Sequence, residues 1–137
     1  MKKSTVKLVI LLIFSVLLTG CRSTPQQGIS RSVTGITITY KNGQIQTMRQ
    51  YTTSTKMRAI LNYLRWIDPY GKPEADPEKI EGSLFQIVLT FSDSSEKVYL
   101  QKADRYMQID GKQWQTIDPE RALTLSKMLG EMESDEA

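Results

Sequence analysis

Apolar and polar residues alternate along Ile36-Thr37-Ile38-Thr39-Tyr40, and a second extended run follows from Gln44 to Tyr51. A period of two is the signature of a half-buried strand. Asn42-Gly43 stands between the runs. Such a pair predicts a two-residue hairpin turn of type I′, in which both central residues take positive φ. The period then lengthens. Met57, Ile60, Leu61, Leu64 and Ile67 recur at helical spacing, while Lys56, Arg58, Asn62 and Arg65 fall mostly off that stripe. Thr53 and Ser54 are suited to cap this helix. It should end by Asp68, because Pro69 disfavours a helical conformation in the residue before it.

Asp68 to Gly82 carries Pro69, Gly71, Pro73, Pro77 and Gly82 and reads as a long loop. Loops of that length are uncommon in compact domains and are often functional. Beyond it, Phe85, Ile87, Leu89 and Phe91 share one face of a strand. Ser92 to Ser95 reads as a turn, and Glu96 to Lys102 as the next strand, with Val98 and Leu100 on one face. Ala103 to Arg105 connects to Tyr106–Ile109, and Asp110-Gly111 predicts another tight hairpin into Lys112–Ile117. Asp118-Pro119-Glu120 opens a last helix with a cap, a first-turn proline and an acid that suits the helix dipole. Ala122, Leu125, Leu129 and Met132 form its apolar face. The order is ββα–loop–ββββα. It predicts an α+β fold, an antiparallel sheet of five to six strands with two helices packed on one face.

The chain begins differently. Lys2, Lys3 and Lys7 precede or border the apolar stretch Leu8 to Leu18, and Leu18-Thr19-Gly20-Cys21 follows. A basic start, a short apolar core and small residues before a cut site make a secretory signal. The apolar run is too short for a membrane span, which needs about 20 residues. The last four residues resemble the lipobox of bacterial lipoproteins, with Leu18, Thr19 and Gly20 matching its leucine–small–small pattern and Cys21 its lipidated residue. The resemblance implies cleavage between Gly20 and Cys21 and a diacylglycerol thioether on Cys21. Two or three acyl chains hold a protein firmly, where one binds only marginally. Cys21 is also the one cysteine of the chain, so it has no disulfide partner. The implied organisation is a signal peptide over 1–20, a flexible tether over 21–33, a single α+β domain over 34–132 and a frayed acidic tail over 133–137. The implied location is the cell membrane or outer membrane, facing away from the cytoplasm. In a two-membrane bacterium Arg22, not being aspartate, favours the outer membrane.

Charge changes its meaning once the signal is set aside. Three of the 18 basic residues precede Cys21 and none of the 15 acidic ones do, so residues 21–137 carry equal numbers of each. The basic pI of the whole chain, about 9.0, is therefore no nucleic-acid footprint. The chain has no histidine, which removes the commonest general base and metal ligand, and with them Ser-His-Asp and Cys-His catalysis. No phosphate-binding glycine loop is present. Neither a cofactor, a metal site nor a catalytic residue is expected.

Two groups of residues remain as candidates. Glu74, Asp76, Glu78 and Glu81 cluster in the long loop with Asp68 upstream, but Lys72 and Lys79 lie among them and the spacing fits no calcium loop. A solvated loop face is the expectation there. The aromatics Trp66, Tyr70, Tyr99, Tyr106 and Trp114 are candidates for a partner-binding patch, with an envelope protein, peptide or glycan as partner. Two readings stand side by side: a solvent-facing patch, in which Tyr99 alternates away from Val98 and Leu100, and rings that close the edge of the core under the helices, a common place for Tyr and Trp. The expected role is a non-enzymatic binding or assembly module held to the membrane through Cys21. The alternatives are a small carboxylate-dependent hydrolase and a ligand-sensing subunit with a pocket between sheet and helices.

Overall fold

A computed structural model describes residues 32–135. The signal, the cleavage site Gly20-Cys21 and nearly all of the tether lie outside the described residues. The first strand, β1, runs Val33–Asn42, so its start takes in the last residue assigned to the tether. β2 (Ile45–Tyr51), α1 (Ser54–Trp66), β3 (Leu84–Phe91), β4 (Glu96–Lys102), β5 (Tyr106–Ile109), β6 (Gln115–Thr116) and α2 (Pro119–Glu131) follow. The strands form one antiparallel sheet in the order β2-β1-β3-β4-β5-β6, with both helices against one face. This is the α+β architecture that the hydrophobic pattern predicts.

The first hairpin forms, but not with the expected turn. Asn42 pairs with Ile45, so the loop residues are Gly43 and Gln44. Gly43 has φ 62°, whereas Asn42 and Gln44 are not left-handed. Glycine at the first central position is the type II′ arrangement. The pairing moves by two residues from the type I′ expectation, which preserves the alternation of faces. Ile36 therefore meets Tyr51, and Ile38 meets Arg49.

The β3–β4 hairpin decides which face of the sheet Tyr99 takes. A four-residue turn over Ser92–Ser95 would set Val98 and Leu100 opposite Leu89 and Ile87. Instead the Phe91 N–H donates to the Ser95 carbonyl, the Ser94 N–H donates to the Phe91 carbonyl, and Ser94 takes φ 69°. The loop is thus three residues long, a turn closed by a left-handed residue. Shifting a register by one residue turns every side chain to the other face. Ile87 now pairs with Tyr99, and Phe85 with Gln101. Tyr99 and Gln101 enter the core, and Val98 and Leu100 lie half-buried on the face away from the helices.

In the last hairpin Asp110 and Gly111 do form the turn, with φ 51° and 70°. Strand pairing resumes only at Gln115 and Thr116, one residue out of step with a tight hairpin. The strand predicted over Lys112–Ile117 is therefore shortened to two residues. The long loop is pinned at both ends. The Tyr70 and Thr116 backbones exchange hydrogen bonds of 2.8 and 2.9 Å beside β6, and the Ala103 N–H donates to the Ser83 carbonyl at 2.7 Å. A Cβ at Gly82 would stand 2.8 Å from that of Ala103, so a close backbone approach fixes glycine there.

The core lies between sheet and helices. Ile36, Ile38, Phe85, Ile87 and Leu89 face Ile60, Leu64, Ile67, Ala122, Leu125 and Leu129. Tyr63 joins them, although it lies off the stripe read from sequence. Its hydroxyl donates to Gln101 Oε1 at 2.5 Å, and Gln101 Nε2 donates to Asp104 Oδ1 at 3.1 Å. Burial holds the Tyr63 hydroxyl well above the usual tyrosine range. α2 starts as expected, with Asp118 Oδ1 accepting from the Glu120 N–H at 3.0 Å.

α1 is capped from a distance. Thr53 makes no side-chain cap bond, and no acid stands in the first turn. Asp135 Oδ2 instead accepts from the Thr52 and Thr53 N–H groups at 2.8 Å each, and Lys56 Nζ meets Asp135 Oδ1 at 2.7 Å. The Asp135 N–H donates to the Gln50 carbonyl, and Ser134 Oγ accepts from the Gln50 N–H. Ser134 and Asp135 are therefore docked, where a frayed tail was expected. An edge strand presents unpaired backbone groups, and the end of the chain satisfies those of Gln50. The Lys56 ammonium and the Thr53 and Thr52 amides hold the Asp135 carboxyl well below the ordinary carboxylate range.

Candidate functional site

The five aromatic candidates do not form one patch. Tyr99 is buried in the core, with Lys97 Nζ 5.5 Å from its ring centroid. Tyr106 pairs with Lys102 on the other face of the sheet and is buried too. Trp114 is half-buried, and its indole N–H is covered without a partner. Both tyrosines are thus buried in the sheet, in keeping with the reading that such rings close the core and not with an exposed aromatic face. Trp66 and Tyr70 do stay exposed. The Arg121 guanidinium lies 5.0 Å from the Trp66 ring centroid and donates to the Trp66 carbonyl at 2.9 Å, so the chain itself occupies one side of that ring.

The loop acids do not converge either. Glu74, Asp76, Glu78 and Glu81 are exposed, and Asp76 Oδ1 accepts from the Glu78 N–H in a local turn. Among the described residues no three acidic side chains are grouped to hold a metal ion.

A different site emerges between the sheet and the C-terminal half of α2. It is a cavity of about 210 Å³, open to solvent. Alternation along the strands supplies one wall. Ile38 and Tyr40 on β1 stand opposite Arg49 and Thr47 on β2, and Phe85 on β3 stands opposite Tyr40. The Tyr40 and Phe85 rings lie 4.8 Å apart at 41°. α2 supplies Ser126, Leu129 and Gly130. Ser126 and Gly130 are four residues apart and so neighbours on one helix face. Neither carries enough side chain to fill the space above Tyr40 and Thr47, which is why the core stops short here.

Arg49 is the one charged residue in the lining. Its Nη1 donates to the carbonyls of Leu129 and Met132, the latter at 3.2 Å. The last carbonyls of a helix lack partners within it and carry its negative dipole end, so a guanidinium is favoured there. A guanidinium has five N–H donors in a fixed fork. Among the described residues only Nη1 is engaged, and no acidic side chain pairs with Arg49. The arrangement is an apolar slot with a positive charge anchored in its wall.

Sequence reasoning missed this site. The available signal was Arg49 itself, a charged residue at the same parity as Tyr51 on a strand whose odd positions face the core. The gap above it depends on two small helix residues, which the apolar stripe of α2 does not register. No protein-family model, curated protein or solved structure matches this chain.

Proposed function

We propose that this protein is a lipid-anchored module of the cell envelope that binds a small ligand in the slot between sheet and α2. The observation that carries the reading is the open apolar cavity with Arg49 in its wall. Pockets of this kind, mostly apolar with a few fixed polar groups, are the usual form of ligand sites. The lipobox-like run ending in Cys21 supports anchorage, and no helix among the described residues is long and apolar enough to cross a membrane. The ligand-sensing alternative thus comes ahead of the aromatic binding face. The hydrolase alternative gains no support from the dispersed loop acids.

The test has two arms. Cys21→Ser cannot form a thioether, so labelling with a fatty-acid probe should disappear in that variant; equal labelling would sink the anchor. A thermal-shift panel of small apolar compounds, neutral and charged, tests the slot. Stabilisation that vanishes in Gly130→Leu supports it, and a panel that acts equally on both proteins refutes it.

A further inference from the structure

We propose that the slot takes a small amphiphilic carboxylate, a single ring or short acyl chain bearing one anionic group. This rests on the reading of the cavity as a ligand site and names the class of ligand. Size sets the first limit. An apolar cavity of roughly 150 Å³ already accepts benzene, so 210 Å³ holds one ring with a few further atoms, not an extended chain. The floor sets the second. Ile38, Phe85, Leu129 and the Tyr40 ring favour an apolar body.

Charge sets the third. Arg49 brings a full positive charge to a wall that has no acid in it. Its bonds to Leu129 and Met132 use Nη1 alone. They also immobilise the guanidinium, so little side-chain entropy remains to be lost when a ligand arrives. The unused edge of the fork matches the two oxygens of a carboxylate, which a guanidinium grips bidentately. A cationic ligand would meet both Arg49 and no counter-charge. A neutral one would leave the donors of Arg49 without an ionic partner.

The experiment uses the mature lipidated protein in nanodiscs, with empty nanodiscs as blank, and equilibrium dialysis of 4-phenylbutyrate against its neutral isostere 4-phenylbutyramide. The carboxylate should bind at least ten-fold more tightly. Arg49→Gln should bring the two to parity, and Arg49→Lys, which keeps the charge, should retain part of the preference even if the helix end loosens. A Cβ on Gly130 meets open space, so Gly130→Leu should fold and block both compounds. Equal affinities that Gly130→Leu abolishes would overturn the anionic class and leave the ligand site standing. Binding of neither compound, or binding that Gly130→Leu leaves intact, would overturn both.

Discussion

Arg49, on the core-facing side of β2, donates to the carbonyl of Met132 at the end of α2 at 3.2 Å. The same Nη1 donates to the Leu129 carbonyl, so one side chain joins the edge of the sheet to the last turn of the helix. Arg49 thereby links the two walls of the slot, beside the core packing of Leu125 and Leu129. Arg49→Leu should lower stability by about 1.5–3 kcal/mol, the usual range for losing hydrogen bonds to a charged group. Arg49→Lys should lose less, since it keeps the charge but not the fork. Urea midpoints decide the matter, and unchanged midpoints for Arg49→Leu would show that α2 is held without it.

Asp135 gives the protein an acid-sensitive clasp. Its folded pKa is depressed, first by Lys56 and then by the Thr53 and Thr52 amides. A depressed carboxylate stabilises the fold fully above its unfolded pKa, near 3.9. That contribution is lost as the pH falls from there toward the lower folded value. The difference in melting temperature between the parent and Asp135→Asn should be largest near neutrality and shrink below about pH 4. A difference that stays constant with pH would show that the clasp does not act through the carboxylate charge.

The order of elements was legible because it depends on period alone. Ile36 to Tyr40 and Phe85 to Phe91 alternate, Ile60 to Ile67 does not, and proline and glycine mark the boundaries. The α2 cap at Asp118 was legible for the same local reason. Register was not legible where it depends on a loop's conformation. Ser94, a non-glycine residue at φ 69°, turns a four-residue loop into a three-residue one and so exchanges the faces of Tyr99 and Leu100. Nor could the chain before folding show that Asp135 caps a helix more than eighty residues away. The slot is a gap in packing, and a gap has no sequence of its own.

The exchanged faces of β4 can be checked by truncation. Tyr99→Ala removes a core ring and should cost about 3–5 kcal/mol. Val98→Ala, on the half-buried outer face, should cost about 1 kcal/mol, and Arg58→Ala on the exposed side of α1 no more than about 0.5 kcal/mol. If Val98→Ala proves the more damaging of the two β4 changes, the register of the β3–β4 hairpin is not the one described.

The slot itself is tested most directly by amide NMR spectra of the protein titrated with 4-phenylbutyrate. Shifts should appear at Thr47, Arg49, Ser126, Leu129 and Gly130, from both walls of the cavity. They should saturate together with a single binding constant. Spectra that do not change, or shifts centred instead on Trp66 and Tyr70, would contradict the assignment of the slot as the ligand site.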